Sequence, residues 1–242
     1  MESFRPQDMR AEQELAKFMD ENFYDRLTLK PGHEGQTISH ERIQDKGTQL
    51  QGIDVILTVG EKRYLIDEKA SLYYSNVMIP TFAFEISFFN PSSNSISEGW
   101  FVKNGQQTEY YMLIWPNVKC VQKGTDKAWV RKDIKHLEKT DFTIVEAMLV
   151  KKSSVIEYFA KKDWSISRIV GYADQFRKRC NNASEKKSEV LSAEPDENDP
   201  VKIEYSGMLA EKPINLVLRK NVLKEMASGV YLISADGYAE IS

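Results

Sequence analysis

The stretch Gly52–Ser71, GIDVILTVGEKRYLIDEKAS, constrains the fold of this chain more than any other. Two strand-like apolar runs, IDVIL and RYLIDEKA, flank a turn containing Gly60. The expected unit is a β-hairpin, with strands over about 52–59 and 62–70. In a strand, residues i and i+2 share a face. Tyr64, Ile66 and Glu68 therefore point one way, and Leu65, Asp67 and Lys69 the other. Asp54 opens the first strand, and pairing of the hairpin brings it across from Asp67 or Lys69. Two carboxylates and an ammonium then converge inside an otherwise apolar sheet.

The surroundings read as alternating helix and strand. Residues 9–27 form an amphipathic helix, with Ala11, Leu15, Phe18, Met19 and Phe23 on one stripe. Residues 36–50 are polar, with Gly47 marking a turn or bulge. TFAFEISFF (81–89) is a strand and NPSSNSISEG a loop. WFVK and TEYYMLIWP (108–116) read as a hairpin around NGQQ. FTIVEAMLV (142–150) is apolar, and periodicity leaves it open between strand and buried helix. Residues 153–183 are helical, with a break near Trp164–Ser167. Residues 184–200 are a polar, exposed loop. The tail from 201 reads as strand, apolar run, short helix and strand, a C-terminal extension packed on the same domain. The expected architecture is a single α/β domain, with a central mixed β-sheet flanked by helices.

Composition narrows the function. No apolar run approaches the ~20 residues of a membrane span, and the polar start MESFRPQDMRAEQELAKF lacks the pattern of a secretory signal. The expectation is a cytoplasmic protein without a membrane partner. Two cysteines and three scattered histidines (His33, His40, His136) make neither a disulfide framework nor a zinc site. The net charge of −3 hides an asymmetry: Lys119–Lys187 holds 17 basic and 9 acidic residues, leaving 16 and 27 elsewhere. Such a segment suits a polyanion-binding face, and equally a set of solvated helix faces. Its candidate phosphate contacts are Lys161, Lys162, Arg177, Lys178 and Arg179.

Clustered carboxylates at a strand end make a hard, oxygen-rich site suited to Mg2+ or Mn2+. A neighbouring lysine can orient a water, deprotonate it, or neutralise developing charge. A lone Asp-x-Lys is far more often a salt bridge on a solvated sheet face; the apolar strand and the earlier Asp54 are what set this one apart.

With GIDVIL and YLIDEKA on adjoining strands, the chain resembles the PD-(D/E)XK phosphodiesterase superfamily, the restriction-endonuclease-like fold. Asp54 matches the first motif position, and Asp67-Glu68-Lys69 the second. The resemblance covers roughly residues 9–120 in order of elements: a helix, three mixed strands, a helix and a further strand. It implies a metal-dependent nuclease, most naturally acting on DNA, with Asp54, Asp67 and Lys69 catalytic. Asp54, Asp67 and Glu68 would hold Mg2+ or Mn2+, Glu68 through its main-chain carbonyl. Two-strand cleavage would suit a homodimer. The proline that often precedes the first Asp is replaced by Ile53, and the usually apolar middle residue of the triplet is Glu68. Either the back face of this strand end opens to solvent, or Glu68 is the working carboxylate in a shifted register.

Many members also carry a glutamate on the first helix. At 100° per residue, with Leu15 at zero, Glu12 falls at about 60°, on the apolar side, and Glu14 at about 260°, away from it. Glu12 is therefore the candidate. Glu85, in FAFEISF, is a possible further ligand, or a solvent-facing strand residue. The alternative for the whole chain is a catalytically inactive nucleic-acid-binding or protein-interaction module on the same fold.

Overall fold

The computed structural model describes residues 5–29, 36–123, 128–182, 190–192, 201–207 and 209–241. In chain order, helix α1 (Arg5–Met19) runs through a π-type turn (Asp20–Tyr24) into the short α2 (Asp25–Thr28). Strand β1 (Ile38–Arg42), the single-turn α3 (Lys46–Gln49), β2 (Val55–Val59) and β3 (Lys62–Ala70) follow. Next come β4 (Thr81–Asn90), β5 (Ser95–Glu98), β6 (Tyr110–Val118), β7 (Cys120–Lys123) and β8 (Ala128–Arg131). Strand β9 (Phe142–Lys151) leads directly into α4 (Lys152–Lys161), and α5 (Ile166–Asn182) comes after it. The chain closes with β10 (Val190–Ser192), β11 (Val201–Tyr205), β12 (Ile214–Arg219), α6 (Lys220–Met226), β13 (Ala227–Ser234) and β14 (Gly237–Glu240).

These elements gather into two compact units. Of the described residues, the larger holds those up to Ile79, then Gln107–Lys152, then the part from Ala227; the smaller holds Pro80–Gln106 and Ser153–Met226. The segment from 201, read as one extension, divides between them. Of the expected loop 184–200, all but Val190–Ser192 lies outside the described residues.

The larger unit is built on a seven-stranded sheet ordered β1-β2-β3-β6-β9-β13-β14. Every neighbouring pair is antiparallel except β3 and β6, which run parallel. Parallel neighbours need a long crossover, and here it is residues 71–109, which supply β4 and β5 to the smaller unit. The β2–β3 hairpin forms as the sequence predicts, with Gly60 at φ +60° in its two-residue turn, a left-handed conformation that only glycine adopts freely. The stripe of Ala11, Leu15, Phe18, Met19 and Phe23 is buried against Val55, Leu57, Ile66, Met112 and Ile114. FTIVEAMLV is settled as strand β9, because β6 and β13 take up its main-chain groups on both sides.

The smaller unit pairs β10-β11-β12-β4-β5 in an antiparallel sheet. The expected hairpin around NGQQ does not form: TEYYMLIWP pairs with β3 and β9, while Trp100–Val102 is a turn. Phe101 is an anchor of the smaller unit's core, edge-on to Phe84 and Phe159. The NPSSNSISEG loop contains β5, the return strand of a hairpin with β4. In the polar run 36–50 the edge strand β1 was hidden, since only alternate residues are partly covered. Among the described residues no helix is long and apolar enough to cross a membrane.

Candidate active site: a carboxylate pair and a lysine on one sheet face

Asp54 is held from every side before its carboxylate does anything. Gly52, at φ +76°, turns the chain into it, and the buried Thr108 hydroxyl donates to the Gly52 carbonyl (2.7 Å). The Ile43 N–H donates to the Asp54 carbonyl (2.8 Å), and the Asp54 N–H to that of Ile66 (2.9 Å). Val55 pairs with Ile66, so one step further along the register Asp54 stands across from Asp67. Beyond the end of β2, the Glu68 N–H has no strand carbonyl to meet, and it donates to the Asp54 carboxylate instead (2.9 Å). A buried N–H left without an acceptor would cost about 1–3 kcal/mol, so Asp54 also closes the ladder.

Asp67 is 3% exposed and ion-paired with Lys69, two residues on along the same face. Burial pushes the Asp67 carboxyl up to about 7; Lys69 opposes the rise and Asp54 adds to it. Burial works against the Lys69 charge, yet Asp67, Asp54 and Glu12 together hold its ammonium above the ordinary lysine range. The three residues expected to converge do so, and the parity argument assigns the correct pair to one face.

Glu12 belongs to this electrostatic neighbourhood but is exposed, at variance with the inward position predicted for it. Glu14, predicted to face away, is half-buried and accepts from the Lys139 N–H (2.9 Å) and Lys17 (2.5 Å). The straight-helix wheel puts Glu12 on the side whose charge reaches Lys69 but not its exposure, and it misses the partial burial of Glu14.

Glu68 points to the other face, as its parity demands, but that face is not open to solvent. Its carboxylate accepts from Arg42 Nη1 (2.7 Å) and from the hydroxyl of Tyr24 (2.9 Å). Arg42 Nε in turn meets both oxygens of Asp20 (2.9 and 2.7 Å). Burial raises the Glu68 and Tyr24 pKa values, with Arg42 opposing both rises. The shifted-register reading of Glu68 is thereby overturned, and its side chain is not among the carboxylates of the Asp54–Asp67 face.

Two further side chains lie in the same neighbourhood. Tyr111, on β6 directly beside Asp67, is fully buried, and burial together with the Asp67 charge raises its hydroxyl pKa. Lys152 follows β9, its N–H bonded to the Glu109 carbonyl (2.9 Å). Burial lowers its pKa, and Asp67 partly offsets the fall. Lys152 does not stand out in the sequence, being one of a Lys-Lys pair; Tyr111 reads there as an aromatic that either stacks on bases or packs the sheet, and its burial settles the second.

The remaining candidates belong to the smaller unit. Glu85 is half-buried on β4, paired with Asn215 of β12. Lys161, Lys162, Lys178 and Arg179 are exposed, with Lys162 over the Tyr158 ring and Arg179 over those of Tyr172 and Phe176. Arg177 is different: it is 5% exposed and donates to the Ser87 carbonyl and hydroxyl and to the Lys212 carbonyl. It joins α5 to the sheet of its own unit and is no surface contact for phosphate.

Among the described residues no group of three or more His, Cys, Asp or Glu side chains is arranged as a metal centre. The chemistry of the face is two carboxylates with an ammonium beside them. Such a donor set fits Mg2+, which binds through one or two carboxylates and keeps several waters. Compared with family models, curated proteins and solved structures, the chain matches none.

Proposed function

We propose that this chain is a metal-dependent phosphodiesterase acting on nucleic acid, most naturally DNA, on a restriction-endonuclease-like core. The observation that carries the reading is the meeting of Asp54, Asp67 and Lys69 on one face at the open end of the β2–β3 ladder. The element order supports it: a helix, three antiparallel strands, then a strand parallel to the third. The departure is the crossover, which brings two strands of another unit where the family has a helix.

Asp54 and Asp67 would hold a single Mg2+ or Mn2+. Once bound, the ion would polarise the phosphodiester and lower the pKa of a coordinated water. Lys69 contributes a fixed positive charge for the oxygens that gain charge as water attacks phosphorus and the P–O bond to the leaving nucleotide breaks. Glu68 acts only through its main chain, its N–H setting the direction of the Asp54 carboxylate. On its far side the Glu68 side chain is anchored by Arg42, itself paired with Asp20.

A second reading, an inactive nucleic-acid-binding module, is favoured by the absence of a third metal-ligating side chain among the described residues. Calorimetric titration of Mg2+ and Mn2+ separates the two. Wild type should bind, Asp54→Asn should lose binding while keeping an acceptor for the Glu68 N–H, and wild type alone should nick plasmid or degrade single-stranded DNA. DNA binding with neither cation binding nor cleavage would leave the inactive module.

A further inference from the structure

The β7–β8 pair of the larger unit forms a sheet of its own, with Gln122 opposite Trp129 and Val121 opposite Val130. All four residues of β8 are exposed, as are Cys120, Val121 and Gln122 of β7. Trp129 is 69% exposed and, among the described residues, makes no ring contact. An isolated two-stranded ribbon is marginal in water. This one is fastened at its base. Asn76 bonds both main-chain groups of Val118, Lys132 meets Asp141 (2.5 Å), and Arg131 reaches the Tyr73 carbonyl. Trp129 and Arg131 share a face, two residues apart on β8, and the Tyr73–Tyr74 turn that Arg131 grips adds two further exposed aromatics. A secured base beneath exposed apolar side chains is what a binding element looks like, since their exposure contributes nothing to folding.

Charge selects the occupant. Among the described side chains of and next to the ribbon, Lys119, Arg131, Lys132 and Lys135 are basic and Asp133 is acidic. Packing against a second copy would set like charges together, whereas a polyanion neutralises them. A flat exposed indole on the same strand face as an arginine matches the bases and phosphates of an unpaired strand. We propose that the β7–β8 ribbon is a docking surface for single-stranded nucleic acid, on which Trp129 stacks against a base. This rests on the nucleic-acid part of the function proposed above, and not on its metal.

The test is tryptophan fluorescence with a fifteen-nucleotide oligothymidylate in EDTA, where no cleavage intervenes. Wild type should quench saturably, with affinity falling as salt rises. Trp129→Ala should lose the quench and bind roughly five- to hundredfold more weakly, the loss of one base stack. Trp129→Phe should keep most of the affinity. Equal affinity of Trp129→Ala and wild type, preference for a blunt duplex, or self-association that disappears in Trp129→Ala would each overturn the proposal. The cation titration of Asp54→Asn is independent of this outcome, so failure of the metal site and failure of the ribbon are read separately.

Discussion

Replacing Asp67 by Asn should abolish the pH dependence that this one group imposes on stability. In the folded chain its carboxyl titrates near 7, against 3.8 when unperturbed. Between those values the native state keeps a proton that the unfolded state has lost, so rising pH favours unfolding. The contribution is fully present below pH 4 and gone once pH passes 7. Three units at 1.36 kcal/mol each amount to roughly 4 kcal/mol, a large part of the 5–15 kcal/mol by which domains are typically stable. Asn cannot ionise, and it occupies nearly the same volume beside Lys69. Urea denaturation of both proteins from pH 4 to 8, in metal-free buffer, gives the difference profile. The variant should gain on wild type by several kcal/mol across that window, while losing cation binding. Parallel profiles, or a variant that falls behind as pH rises, would refute the reasoning, because they would mean that Asp67 ionises in the folded chain as easily as in water.

Three further outcomes follow from the same geometry. Mg2+ binding near pH 7 should release protons, since Asp67 must ionise to ligate; calorimetry in buffers of different ionisation heat should register the release, and affinity should rise from pH 6 to 8. Arg42→Met strands the Glu68 carboxylate, 11% exposed, without its cation, so a loss of about 3–5 kcal/mol is expected in thermal or urea unfolding; the double variant Arg42→Met with Glu68→Leu should recover part of it. Arg177→Met should destabilise by about 1–3 kcal/mol through the buried hydrogen bonds to Ser87 and Lys212 that it removes, yet leave the salt dependence of DNA binding unchanged, whereas Lys178→Ala with Arg179→Ala should flatten it.

Glu68 shows how far local pattern reaches. Period two in YLIDEKA was enough to separate Asp67 and Lys69 from Glu68, because a strand offers only two faces. The same pattern could not say what the second face touches, since Arg42 and Tyr24 come from elements 26 and 44 residues away. Tyr24 lies on the outer side of an ideal helix starting from Leu15, but the π-type turn advances less per residue and brings it under the sheet. That wider turn is invisible to a wheel drawn at a constant 100°. The WFVK misreading has the same origin: an Asn-Gly signal is local, whereas the partner of β6 was chosen by competition among distant strands.

Legible in the sequence were the hairpin with the faces of its charged residues, the apolar stripe of the first helix and the Asp54–Asp67–Lys69 convergence, because each follows from spacing along one element or one tight turn. Which strand lies parallel to β3, and that the chain between them belongs to a second unit, became visible only once distant segments had met. It is the tertiary structure that buries Arg177, clamps Glu68 from behind and leaves Trp129 on an uncovered ribbon. Those outcomes depend on which surfaces meet across tens of residues, where burial of apolar area and satisfaction of main-chain groups are settled for the whole sheet together.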